Sequence, residues 1–200
     1  MAAIPRLTPR KEPRQDRSRA LVADLLEGTR RVLVSKGYDD TVMAEIAEVT
    51  GVSVGSVYQY FPSKESLLTA LHVSLLEGDV THLADNLMEH RDTDLEGLAA
   101  VVAAVALESF HAHRDVLHAL EDAAHAMGSE RKLAPVRAQG VQLLTGFLES
   151  HVGYRGEEPE LTAHVVQRLM SSMPRVLTEC GEAELAHSRL TALVHTALLD

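Results

Sequence analysis

Twelve residues, "SVGSVYQYFPSK" from Ser53 to Lys64, bring together hydroxyls at Ser53, Ser56, Tyr58 and Tyr60 and an ammonium at Lys64. Phosphate oxygens accept hydrogen bonds from all of these groups and from the free amides at a helix N-terminus. Val54, Gly55 and Gln59 in the same stretch suit base edges instead. Valine can meet a thymine methyl, glutamine can pair with adenine, and glycine lets the backbone approach closely. Just upstream, the region of Arg14, Arg17 and Arg19 can reach the phosphate backbone or an adjacent minor groove.

A second set of chemical groups lies farther on. His118, Asp122 and His125 stand at i, i+4 and i+7, on one helical face, with Glu121 and His111 nearby. Metal ligands can use that spacing. A solvated polar face is the simpler reading, because no cysteine lies nearby and the other histidines, of 11, are scattered. No metal site and no cofactor are therefore expected. Neither a nucleophile elbow nor a phosphate-cradling glycine loop marks an enzyme.

The elements that must position the first set are legible. "SRALVADLLEGTRRVLVSKGY" has helical amphipathic period, and Gly37 is placed as its stop. Thr41 is placed to cap a second helix, "VMAEIAEV", which Gly51 ends; Ser53 caps a third, "VGSVYQYF", which Pro62 ends; Ser63 caps a fourth. Ala47 is small where two helices would cross, and Gly51 supplies the left-handed turn. Ile46, Val52 and Val57 point inward. This is helix-turn-helix spacing, and it leaves the third helix free to enter a major groove. Beyond residue 63 long helical patterns follow, for about nine helices and an all-α fold with no strand signal. The domains expected are a basic arm over 1–13, a helix-turn-helix DNA-binding domain over 14–62 and a helical effector-binding and dimerisation domain over 63–200.

Composition agrees. Leu, Val and Ala must fill the core, since aromatics are 4% and Trp is absent. The net charge of −10 hides an asymmetry: +2 over residues 1–64 (10 Lys+Arg against 8 Asp+Glu) and −12 over 65–200 (9 against 21). A small module that meets phosphate, joined to a body that does not, would carry such a split. A lone cysteine, Cys180, excludes an intrachain disulfide. With no signal-peptide core and no unbroken apolar stretch of spanning length, a cytoplasmic protein with no membrane partner is expected.

From Ile46 to Leu68, "IAEVTGVSVGSVYQYFPSKESLL" resembles the TetR family of transcriptional regulators, whose pattern is I-A-x-x-x-G-V-S, a small pair, then Y-x-Y-F-x-S-K-E-x-L. Thr41 and "SKGYDDT" extend the resemblance to roughly residues 17–72. It implies a homodimer on a palindromic double-stranded operator, usually a repressor released by a small-molecule effector. Carried over by position, Thr41, Ser53, Ser56, Tyr58, Tyr60 and Lys64 match phosphate-contacting sites, and Val54, Gly55 and Gln59 base-facing ones. Ala44 departs from the pattern, standing where many members carry Arg or another polar residue.

The resemblance also implies a dimer interface from the last two long helices. Val165, Leu169, Met173 and Val176 fall on one side of the first, and Leu190, Leu193, Val194 and Ala197 on one side of the second. An effector pocket among the central helices would have Leu107, Phe110, Met127, Leu144, Phe147 and Met170 as walls. A metal-responsive regulator using the His118 face is the alternative, and a helical enzyme is a more distant one.

Overall fold

The computed structural model describes residues 16–127, 130–181 and 185–199. Among them eight α-helices follow one another: α1 Asp16–Asp40, α2 Met43–Thr50, α3 Val54–Tyr60, α4 Lys64–Glu89, α5 Leu95–Met127, α6 Glu130–Ser150, α7 Pro159–Glu179 and α8 Ala186–Leu199. One expected boundary is missing, since "DLEGLAAVVAAVALESFHAHR" and "DVLHALEDAAHAM" run together as the 33-residue α5. Their junction, Arg114–Asp115, holds neither Gly nor Pro, and charge alone does not interrupt the hydrogen-bond ladder. The α1 stop does fall at Gly37, whose φ of 78° breaks the helical geometry.

Residues Leu95–Leu120 correct another expectation: by length and composition this stretch is apolar enough to cross a membrane. In the fold its apolar residues build core instead.

The chain divides into two units. One comprises Met1–Leu75 and Arg114–Leu133, the other Leu76–His113 and Ala134–Asp200. The division falls elsewhere than 62/63 because the start of α4 shares its packing with the N-terminal helices. Leu25, Val32, Met43, Ile46, Ala47, Val57, Phe61 and Leu67 form one buried cluster. Leu33, Leu68, Leu71, Val116 and Leu120 form a second cluster in the same unit. Phe61 is wholly buried, a contribution of about 1.5–3 kcal/mol.

In the other unit α5 is the central helix. Leu98, Val102 and Val105 pack with Leu83 and Leu87 of α4, Val141, Leu144 and Leu148 of α6, Val166 of α7, and Leu190, Val194 and Leu198 of α8. Buried alanines at 99, 103 and 106 keep the helices close. The α6–α7 connection is tied by a 2.8 Å bond between Tyr154 Oη and Thr162 Oγ1, and by His151 Nε2 on Thr93 O at 2.9 Å.

This packing bears on two sets of expectations. Leu107 and Leu144 are buried in the core, and Phe147 and Met170 are partly buried and packed against it. Phe110 is half-buried, its ring tilted against His111, and the Met127 side chain lies outside the described residues. On α8, Leu190 and Val194 are fully buried within the subunit and cannot face a second copy. The stripe splits because an i, i+4 pair points one way while Leu193, at 40% exposure, points the other. On α7, Val165 and Val176 are exposed, while Leu169 and Met173, like Ala197 of α8, are half-buried.

Candidate nucleic-acid interface

α2, its turn and α3 form the expected helix-turn-helix. Gly51 sits at φ 67°, ψ 19°, and its N–H and that of Val52 close the α2 end on Glu48 O (3.2 Å) and Ala47 O (3.0 Å). An L side chain is strained at such a φ, so the glycine sets where α2 stops. Ser53 then starts α3: its Oγ accepts from Ser56 N at 3.1 Å and lies 2.7 Å from Ser56 Oγ. Ser63 and Ser66 exchange hydrogen bonds in the same manner at the start of α4, at 3.1 and 3.2 Å.

Burial fixes the orientation of α3. Val57 and the following Phe61 are fully buried, with Val52 half-buried beside them. The opposite face holds Val54 (39% exposed), Gly55, Tyr58 (45% exposed) and Gln59. A Cβ added at Gly55 would meet open space, so the backbone there is free for close approach. Ser53 is exposed and Ser56 half-buried. Tyr60 is half-buried too, its hydroxyl 3.4 Å from Ser18 Oγ of α1.

Two residues carried over as phosphate contacts are placed otherwise. Thr41 is wholly buried. Its hydroxyl donates to Gly37 O at 2.6 Å, closing the end of α1, and the α2 N-cap is Val42, with no side-chain cap. The half-buried Lys64 donates from Nζ to Tyr38 O (2.8 Å) and Asp39 O (3.3 Å) and sits 4.2 Å from the Tyr38 ring centroid. Its ammonium thus satisfies carbonyls where α1 ends and stacks on a ring whose phenol burial pushes up, with Glu65 adding to the rise.

Three further cations of this unit lie beside carboxylates. Arg30 donates to Glu27 at 2.9 Å, Arg31 lies 3.8 Å from the same carboxylate, and Lys36 lies 2.7 Å from Glu45 of α2. The Lys36–Glu45 hydrogen bond raises the lysine above its ordinary value. Arg19 is exposed, whereas Arg14, the Arg17 side chain and the arm over 1–13 lie outside the described residues. Ala44 is exposed and offers no hydrogen bond from its side chain.

Sequence reading missed Gly28. A Cβ there would lie 2.2 Å from Thr50 Cγ2, so α1 and α2 touch through a glycine. The available signal was a glycine in mid-helix with no turn to make. Of the His118 face only His118 has a described side chain, and it is exposed; Asp122 and His125 lie outside the described side chains. Among the described residues no group of three or more His, Cys, Asp and Glu is placed to hold a metal.

Residues 25–71 match the family model described as "Bacterial regulatory proteins, tetR family". The chain is 31% identical over 67 residues to the HTH-type transcriptional repressor AcnR of Corynebacterium efficiens, which covers 34% of each protein. The match thus spans about a third of that curated relative's length. A TetR transcription regulator from Haloarcula marismortui shares the fold with a TM-score of 0.70 at 16% identity, over 90% of this chain and 97% of that one. The superantigen PfiT shares it too, with a TM-score of 0.67 at 17% identity over 91% and 97%. Fold alone therefore does not set function, but residues 25–71, which hold the helix-turn-helix, match the model of the TetR family of bacterial regulatory proteins.

Proposed function

We propose that this protein is a DNA-binding transcriptional regulator, acting as a repressor, with no catalytic activity of its own. Two copies present their α3 helices to successive major grooves of a palindromic operator, about 34–36 Å apart. Tyr58, Ser53 and Ser56 contact phosphates, while Val54, Gly55 and Gln59 face base edges. A small-molecule effector favours a subunit arrangement that misses this spacing, with a coupling of typically about 1–3 kcal/mol.

One observation carries the reading: α3 is locked from behind by Val57 and Phe61, yet leaves Val54, Gly55, Tyr58 and Gln59 in solvent. A helix held that rigidly, with aromatic and apolar groups exposed, suits a surface that docks. Pairing of two copies is supported by the apolar groups that α7 and α8 leave outside, Leu161, Val165, Val176 and Leu193. Grooves of about 380 and 420 Å³ along α7 both include Val165.

The basic arm before α1, with Arg14, Arg17 and Arg19, supplies charge for phosphate, in line with the positive balance of the N-terminal segment. The test is selection of bound fragments from the source genome, followed by affinity measurements on the selected duplex at several salt concentrations. Tight binding that weakens steeply with salt, and again with Tyr58→Phe, is expected. A protein that stays monomeric and ignores duplex DNA in dilute buffer would overturn the proposal.

A further inference from the structure

The outer face of α7 carries two grooves of opposite charge. Thr162, Ala163 and Val166 are buried on the inner side of the helix, while Leu161, His164, Val165, Arg168 and Ser172 are exposed on the outer side. The first groove joins Glu157 and Glu158 to Leu161, Val165 and Ala197 of α8. The second, one turn on, is lined by His164, Val165, Arg168, Leu169 and Met173. Carboxylates rim the one and a guanidinium the other. Neither Arg168 nor the two glutamates has an ion-pair partner among the described residues, whereas Arg175 farther along α7 lies 3.5 Å from Glu179.

Two copies related by a two-fold axis present the same face to each other. With the axis along α7, Arg168 would meet its own counterpart and the glutamates theirs, and like charges would repel. With the axis across α7 the helices run antiparallel, and each glutamate pair can meet an arginine. Glu158 keeps the helical frame, since its carbonyl accepts from Thr162 N at 3.0 Å. The stretch from Glu158 to Arg168 is about 15 Å long, and setting these two opposite each other places the axis level with Ala163. The same setting puts Leu161 opposite Val165. Each exposed leucine, 56% accessible in the single copy, then enters the second groove of the other copy. There His164, Val165, Arg168 and Leu169, at i, i+1, i+4 and i+5, border a gap between helix ridges. Charge and apolar shape agree on one register.

We propose that a second copy of this chain covers both grooves with its α7 antiparallel. Each Leu161 sits among the partner's His164, Val165, Arg168 and Leu169, and each Arg168 pairs with the partner's Glu157 and Glu158. This rests on the reading that two copies pair, and goes beyond it by fixing the register and the residues that select it. Leu161 and Val165 form the apolar centre, and the charges form a rim that sets orientation and rejects wrong partners more than it adds strength. A related chain without this spacing of acid and arginine would bring like charges together. Ala197 in the first groove continues the face onto α8.

The test is sedimentation equilibrium of the full chain at low salt, where wild type is expected to be dimeric. Arg168→Glu, and separately Glu157→Arg with Glu158→Arg, should each raise the dimer dissociation constant about tenfold or more, and all three together should return it to within about threefold of wild type. Mixing the two weakened chains should likewise yield mixed dimers in preference to either homodimer. A dimeric wild type with no rescue in the triple variant or the mixture would overturn the register and leave pairing standing. A monomeric wild type would overturn both. Should it be monomeric yet gain thermal stability from decanoate, and lose that gain with Arg168→Glu, the groove would belong to an apolar acid instead. Cross-linking reads the register independently, in a Cys180→Ser background because Cys180 is exposed. A mixture of Leu161→Cys and Val165→Cys copies should form disulfide-linked dimers faster than either alone; Leu161→Cys linking fastest to itself would overturn the assigned axis.

Discussion

Replacing Gly28 by alanine probes how tightly α1 and α2 are forced together behind the recognition helix. A Cβ there would lie 2.2 Å from Thr50 Cγ2, against an ordinary carbon–carbon contact of about 3.5–4.0 Å. Thr50 is not free to turn away, because its hydroxyl donates to Ile46 O at 2.7 Å and lies 3.2 Å from Ala47 O. Overpacking of this kind costs about 1–3 kcal/mol. Alanine in place of glycine in a helix interior contributes about 0.8–1.0 kcal/mol the other way. The single variant should thus be destabilised by up to about 2 kcal/mol. Thr50→Ser removes the clashing methyl and keeps the hydroxyl bond. In that background Gly28→Ala should change sign and stabilise by up to about 1 kcal/mol. The double-mutant cycle, read by denaturant unfolding followed through helical ellipticity, should therefore give a coupling of about 1–3 kcal/mol between positions 28 and 50. A coupling below about 0.5 kcal/mol, the level of independent sites, would refute the close-contact account.

Lys64→Met should destabilise the first unit by about 1–2 kcal/mol through the lost bonds to Tyr38 O and Asp39 O, with the salt dependence of DNA binding unchanged. A variant of normal stability whose slope falls by about 0.9 would instead make Lys64 a phosphate contact. Deleting residues 1–15, which hold Arg6, Arg10, Lys11 and Arg14, should lower that slope by up to about 3; an unchanged slope would remove the arm from the interface. Leu193→Glu should leave subunit stability within about 0.5 kcal/mol yet shift sedimentation towards monomer. Leu190→Ala should cost about 2–5 kcal/mol of stability, and a reversal of these two outcomes would invert the assigned faces of α8.

Much of the first unit was readable because its determinants are local. Glycine at 37 and 51, serine at 53 and 63, and proline at 62 act on their own neighbours through φ preference, capping and a missing N–H. Their effects survive any tertiary arrangement, so helix ends came out correctly there. Thr41 failed as a cap for a related reason. A threonine before a helix has two local options, and here its hydroxyl closes the preceding helix by reaching back to Gly37 O. On α8, period alone grouped Leu190, Leu193, Val194 and Ala197, although a helix stripe about 100° wide can serve two neighbours at once.

Lys64 shows the limit most clearly. Its sequence position next to the aromatic pair suggested an ammonium for phosphate, and the carbonyls it meets lie 25 and 26 residues away. The contacts of Asp79 with His113 (3.4 Å) and of His82 with Glu108 (3.1 Å), between α4 and α5, were equally hidden, since no periodicity links these positions. Sequence by itself determined the all-α class, the helix-turn-helix and the buried side of α3, because short-range torsional preference and apolar period suffice for those. Only the tertiary structure decided which polar groups remain available, because a cation or carboxylate goes to whichever desolvated partner long-range packing brings within about 3 Å.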